Sequence, residues 1–457
     1  MLQTIEKSEF REFGKFVRSP FFNLREDVAQ LWEALSPHLA QPEKLPPKQV
    51  LFEKIYGEGA FFDDHALRMC MSFLGKAVEA FFIQKNFQNN PVRAQIHLAS
   101  EYRNRGLDQF FSKKQQENRA LLDAAPHRNA DHLADLYSMK LESFLAAAAQ
   151  KRTEALPFQE VHDTFELAFL AQKLRQACVA LSHQAVFRTD YDFGILPEAL
   201  AYIERRDLVG EVAIGVYYYA FRMLSGGAGA YADFSAALAK NLAFFPENEQ
   251  RELLLHAINH CIKQYNDGNQ SFLAEELIWY KKGLESRVLL SNGVLSRFTY
   301  RNVATLALVL KDFEWAEDFI QNFKNSLEPS QREANFSFNM ARLEYERKNY
   351  RTALGLLQQS DYEDTLLALA AKTVLLKIFY ETNEMDVLDS HLDAMQAFIR
   401  RHKEVGYHAE NYRQLVRFVK MLTALPPGAT LEKQKLRQEI EETKAVAEKN
   451  WLLGNFY

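Results

Sequence analysis

Apolar positions recur every three or four residues along almost the whole chain. In residues 5–18, Ile5, Phe10, Phe13, Phe16 and Val17 fall on one face, the spacing of an amphipathic helix. Pro20 disfavours helix in the residue before it, so this helix is expected to end near Ser19. Phe21 and Phe22 then fall in a turn, where two aromatics are expected to plug a neighbouring helix pair. A second helix over 25–36 carries Val28, Leu31, Trp32 and Leu35. Three prolines between 36 and 46 mark a loop, and Pro47 opens a helix over 47–56, where its missing N–H costs nothing. Gly57 and Gly59 break that helix. Asp63 or Asp64 then caps a long one, with Leu67, Met71, Leu74, Val78 and Phe81 on one stripe through about Phe82. Asn86–Pro91 reads as loop, so residues 1–88 are expected to form a helical N-terminal unit.

A charged helix is expected over 93–124, with a joint at 125–130. From there to 425, helices of ~12–18 residues alternate with short polar turns. Residues 93–425 therefore read as one run of helix pairs. No strand is expected: the β-like run Val212–Tyr219 is flanked by helical patterns, and Gly215 within it fits close helix packing. Pro426, Pro427 and Gly428 close the run. A final Glu- and Lys-rich helix over 430–452, within a C-terminal segment 429–457, carries a thin stripe of Leu431, Leu436, Ile440 and Val446. It is expected to cap the stack with a polar outer face.

Composition sharpens this all-α reading. Only 18 Gly and 13 Pro in 457 residues leave room for long helices, and 35 Phe with 19 Tyr supply large buried areas. The net charge of −5 gives no basic excess to meet a phosphate backbone. Cys70, Cys178 and Cys261 are far apart, which suits reduced, buried thiols. The first sixteen residues lack the apolar core of a signal peptide. No window reaches the length of a transmembrane helix, so a cytoplasmic location and no membrane partner are expected.

The clearest periodicity lies between 297 and 395. Segments 302–323 (NVATLALVLKDFEWAEDFIQNF), 339–360 (NMARLEYERKNYRTALGLLQQS) and the stretch from Leu375 (LLKIFYETNEMDVLDSHLDAM) align. The small or apolar residue after each turn is Ala316, Ala353 and Leu388; the slot before it holds Phe313, Tyr350 and Met385. Ala304, Ala341 and Leu376 fill the small slot of the first helix. The pattern resembles the tetratricopeptide-like (TPR-like) helical repeat superfamily, whose period is 34. It departs from that pattern where Ala307, Glu344 and Phe379 replace a Tyr. The chain as a whole, with SPFFN near its start, is also similar to uncharacterised bacterial helical proteins, which implies no function. The TPR-like resemblance implies a right-handed α-α superhelix, a solenoid whose first helices line a concave groove. Carried over by alignment, the groove positions include Arg301, Phe338, Arg342, Tyr345, Lys377 and Tyr380. Cations mixed with aromatics suit an acidic or C-terminal peptide segment.

Other motifs carry less. His256 and His260 are four apart on a helix, but the Glu of H-E-x-x-H and a third ligand are missing, so no metal is expected. Ser225–Ala232 has a Gly-x-Gly, but a helix precedes it where a dinucleotide site needs a strand; it reads as an inter-helix turn. Carboxylate pairs such as Asp63–Asp64 and Glu275–Glu276 read as caps or solvated side chains. Cys178 and Cys261 have His183 and His260 nearby in sequence without catalytic geometry. In the N-terminal unit, only Arg68 would serve a recognition helix. The cluster Arg400, Arg401, His402 and Lys403 reads as a solvated helix end.

The expectation is therefore a non-enzymatic interaction scaffold that binds a partner protein or peptide, uses no cofactor and does not contact nucleic acid. The alternative is a regulatory protein whose N-terminal unit contacts nucleic acid while the solenoid senses a peptide. Partner identity and oligomeric state stay open.

Overall fold

The computed structural model describes residues 1–39, 41, 44–150, 155–187, 189–227, 229–358, 361–402, 406, 408–426 and 428–456. Pro42, Pro427, Lys403 and the Ala228 of the glycine-rich turn lie outside them. The described chain is mostly α-helix, with one two-stranded hairpin. It forms two compact units, residues 1–180 with 190–218, and residues 181–189 with 219–457.

The first unit opens with α1 (Phe10–Val17), α2 (Glu26–Leu35), α3 (Lys48–Tyr56) and α4 (Asp64–Asn89). Their apolar stripes meet in one core containing Phe13, Val17, Leu31, Trp32, Leu67 and Val78. Phe13 meets Trp32 edge-on at 4.7 Å. Asp63 caps α4 by accepting from the backbone N–H of His65 (2.8 Å) and Ala66 (3.1 Å). Phe22 stacks on Phe16 at 4.0 Å, but Phe21 plugs nothing: it is 87% exposed.

Two expectations fail next. The loop at 86–91 shrinks to Asn90, because α4 continues to Asn89; Asn90 then caps α5 (Pro91–Asn104), with Pro91 in its first turn. The single helix expected over 93–124 is two, α5 and α6 (Asp108–Ala124), parted where Gly106 takes φ +69°. The unit continues with α7 (Ala130–Gln150), residues 158–180 of α8 (Phe158–Phe187), α9 (Leu196–Arg206) and residues 212–218 of α10 (Val212–Leu224), the β-like run being helix as expected. A Cβ on Gly215 would lie 2.2 Å from the Val209 carbonyl oxygen, so only glycine allows this backbone approach.

The second unit contains α11 (Ala230–Asn241), α12 (Glu247–Asn266), α13 (Phe272–Glu285) and a hairpin of β1 (Leu290–Ser291) and β2 (Val294–Leu295). The hairpin corrects the expectation of no strand. Asn292 and Gly293 both take positive φ, 52° and 78°, the requirement of a tight two-residue turn.

Three helix pairs follow: α14 (Arg297–Val309) with α15 (Phe313–Phe323), α16 (Pro329–Glu346) with α17 (Tyr350–Gln358), and α18 (Thr365–Glu381) with α19 (Met385–Arg401). Each pair turns identically. Lys311, Lys348 and Asn383 take left-handed φ of 61°, 65° and 62°. The next residue's N–H reaches five residues back in every case: Asp312 to Ala307, Asn349 to Glu344, Glu384 to Phe379, all at 2.8–2.9 Å. This is a Schellman closure. Ala304, Ala316, Ala341, Ala353, Leu376 and Leu388 are all at most 1% exposed. The first helices pack on one another, α14 on α16 and α16 on α18.

The chain ends in α20 (His408–Thr423), α21 (Thr430–Glu442) and α22 (Lys449–Gly454). The single terminal helix expected over 430–452 is thus broken after Glu442. Leu436, Ile440 and Leu452 enter the core around Leu376, Leu415 and Phe418.

Candidate functional site

The face of the first helices is built by repetition. Equivalent turns and equivalent small residues hold α14, α16 and α18 in the same register, so equivalent outward positions fall side by side. The six sequence-selected residues separate into three groups.

Phe338 is not on the face. It is 5% exposed and packs in a core cluster with Ala341, Tyr345, Ala353 and Ile378, because its side of α16 meets α17 and α18. Arg301 is half-buried on α14, with its guanidinium 5.3 Å from the Phe298 ring. Burial pulls its pKa down, only partly opposed by Asp364.

The other four converge. Arg342 is half-buried on α16 and donates to the Thr305 hydroxyl of α14. Its guanidinium lies 5.8 Å from the Phe338 ring, and burial pulls its pKa down against the attraction of Glu448 and Glu346. Tyr345 is as buried as Phe338, 5% exposed and in the same core cluster, and only its hydroxyl reaches the others, donating to Glu381. The ammonium of Lys377 stands 4.9 Å from the Tyr345 ring, a cation–π distance. Tyr380 meets Trp451 edge-on at 5.4 Å.

Three residues that sequence reasoning missed complete the arrangement: Glu381, Glu448 and Trp451. Glu381 is the hub. Besides Tyr345, it accepts from the Trp451 Nε1–H at 2.8 Å, the Tyr350 hydroxyl at 2.5 Å and the Lys348 ammonium at 3.0 Å. Burial alone would raise its pKa, but these donors outweigh burial and hold it at about 2. Glu448 pairs with Lys377 at 2.9 Å. The backbone N–H of Ala447 donates to the Asn411 carbonyl of α20 at 3.0 Å. Residues 447–452 therefore lie on the face of α18 and α20, an acid on the lysine and an indole against Tyr380. The face that the alignment marks for an acidic segment is met by a segment of the same chain whose one acid, Glu448, is followed by Lys449.

Elsewhere, neighbouring reactive residues turn to other uses. His256 is buried, with its Nδ1 3.2 Å from the Ser182 hydroxyl, and burial lowers its pKa to about 4. His260 stacks on Tyr231 at 5.0 Å, not on Cys261. Burial pushes the Cys261 thiol up to about 11, which keeps it protonated and a poor nucleophile. The thiol donates to the Tyr231 hydroxyl at 3.4 Å, which in turn donates to Glu275 at 3.1 Å. Cys178 is buried beside the Tyr217 carbonyl, and His183 stacks on Phe187 at 4.2 Å. Glu276 corrects the solvated reading of the Glu275–Glu276 pair: it is 7% exposed, and burial raises it to about 7.

In the N-terminal unit, Arg68 pairs with Asp64 at 3.0 Å, and Lys48 with the same carboxylate at 2.9 Å. Gly226 ends α10 and Gly229, at φ +71°, precedes α11, so the glycine-rich stretch is an inter-helix turn. Among the described residues no helix is long and apolar enough to cross a membrane. No family model, curated protein or solved structure matches the chain.

Proposed function

We propose that this chain is a non-enzymatic, cytoplasmic interaction scaffold. Its helix pairs stack as a right-handed superhelix of the TPR-like kind, and the face of α14, α16 and α18 holds a segment of a partner protein. One observation carries the reading: Lys377, Tyr380 and Glu381 already grip a short segment through an ion pair, an aromatic edge and an indole hydrogen bond. A surface that binds a segment this way needs no chemistry, only a fixed array of donors and rings. The rigid repeat turns provide that fixity.

Glu346 is exposed on α16 beside Arg342 and Tyr345, so it reports on this face. Val387, 46% exposed on α19, reports on the other side of the pairs. A photo-crosslinking amino acid at 346 in the full chain should trap one recurrent partner protein in cells, and the same probe at 387 should not. Recurrent products at 387 alone, or none at 346, would overturn the reading.

A further inference from the structure

A cavity of about 550 Å³ opens where the first helices of the three repeat pairs begin, at the N-terminal ends of α14, α16 and α18. Its size suits a small ligand or one long side chain. Asn335 of α16 forms part of its wall and is 2% exposed. The Asn335 Nδ2 donates to the Gln331 carbonyl at 2.7 Å. That bond fixes which way round the carboxamide stands. Its Oδ1 is turned away from the Gln331 carbonyl, and among the described residues it has no donor. A buried acceptor without a donor destabilises the fold, and a ligand that brings an N–H would satisfy it.

Four carboxylates share the wall: Glu333, Asp361, Glu363 and Asp364. Two are already matched. Glu333 pairs with Lys324 at 3.0 Å, and Asp364 pairs with Arg297 at 3.3 Å while capping α18 through the Leu367 N–H at 2.8 Å. Asp361 and Glu363, exposed in the segment before α18, have no ion pair or hydrogen bond among the described residues. The wall therefore offers one oriented, buried acceptor and two uncompensated negative charges, while its cation, Arg297, already has a partner. Among the described residues no three His, Cys, Asp or Glu side chains gather closely enough to hold a metal ion. The complementary ligand is an organic cation that carries N–H groups.

We propose that this cavity binds a primary ammonium group, carried either by a small diamine or by the lysine of a peptide. One N–H goes to the Asn335 Oδ1, and Asp361 and Glu363 balance the charge. A hydrogen bond from a charged donor is stronger than a neutral one, so the buried oxygen contributes to affinity as well as to orientation. None of the residues that hold segment 447–452 takes part, so the proposal stands apart from the scaffold reading.

Isothermal titration of the full chain with 1,4-diaminobutane, and separately with the peptide N-acetyl-Gly-Lys-Gly-amide, tests it. At least one of the two should bind saturably, and 1,4-butanediol should not. Asn335→Leu should weaken that binding by about tenfold or more, and so should Asp361→Asn/Glu363→Gln, whose exposed side chains can change without unfolding the chain. Glu346→Gln, an exposed acid at the far end of α16, should leave the affinity unchanged. The fully N-methylated analogue of whichever amine binds keeps the charge but has no N–H, and it should bind about tenfold more weakly. Should Asn335→Leu disturb the fold, the analogue and the carboxylate variant carry the test without it. Binding of the diamine alone would assign the cavity to a small molecule, and binding of the peptide alone to a lysine of another protein. No saturable heat from either amine at millimolar concentration would overturn the proposal. So would an undiminished affinity in Asp361→Asn/Glu363→Gln, an equal loss in Glu346→Gln, or equal binding of the methylated analogue.

Discussion

Glu276 puts a carboxylate in a setting that disfavours its charge. It is 7% exposed on α13, and burial raises it to about 7 from an ordinary 4.5. Because the folded pKa is the higher one, the folded chain holds this proton more tightly than the unfolded chain. Stability therefore falls as pH climbs from about 4.5 to about 7 and is level above that. Glu276→Gln removes the ionisation. It should stabilise the chain by on the order of 2–3 kcal/mol at pH 8 and by almost nothing at pH 4.5, read as a pH-dependent shift in melting temperature. Gly215 poses the opposite, steric case. A β-carbon there would meet the Val209 backbone oxygen at 2.2 Å, and a backbone atom cannot rotate away. Gly215→Ala should cost about 1–3 kcal/mol or more in denaturant unfolding, although alanine is the better helix former. Both residues bear on legibility. Gly215 inside an aliphatic and aromatic run suggests close packing from sequence alone. Glu276 does not announce itself, since its burial depends on which side of α13 meets the rest of the unit.

The repeated turn is the element that sequence reveals best. Its period survives because small residues must sit where two helices touch, and Ala304, Ala316, Ala341 and Ala353 are all fully buried. What the alignment omits is the left-handed slot, filled here by Lys311, Lys348 and Asn383, while Gly106, Gly226 and Gly268 fill it in earlier turns of the same kind. At Gly106 the slot broke a helix that apolar spacing alone runs straight through. Lysine pays for left-handed backbone where glycine does not. Lys311→Gly should thus stabilise the chain by about 0.5–1.5 kcal/mol, and Asn383→Gly by less, because asparagine tolerates that region better. Chemical denaturation of the two variants checks the order; a destabilised Lys311→Gly would mean that the slot contributes nothing through its backbone. The terminal helices and the Asn292–Gly293 hairpin escaped for a related reason, being short elements whose ends are set by turn residues and not by a stripe.

On the scale of the whole molecule, the candidate site is assembled by sequence-distant closure. Trp451 reaches Glu381 across 70 positions and Glu448 reaches Lys377 across 71. No local pattern encodes such a return, which is why alignment finds Lys377 and Tyr380 while Glu381, Glu448 and Trp451 emerge only in three dimensions. The closure also makes one residue responsible for a large region. Trp451 packs beside the fully buried Leu452 on the core that joins α18 to α21, and its N–H is one of the donors that keep Glu381 at about 2. Trp451→Ala removes the ring and that donor together, so it should cost about 2–3 kcal/mol. Opening is expected to stay within the second unit, so amides of 365–456 should exchange about 30- to 100-fold faster while those of 10–82 keep their rates. Acid provides a second readout. A carboxylate with a depressed folded pKa stabilises above about 4.5 and loses that contribution as pH falls toward about 2. Without the indole donor the folded pKa of Glu381 moves up, so the window narrows from below and less stability is lost on acidification. If Trp451→Ala leaves both the exchange rates and the acid profile of the second unit unchanged, the C-terminal segment is not docked on this face in solution.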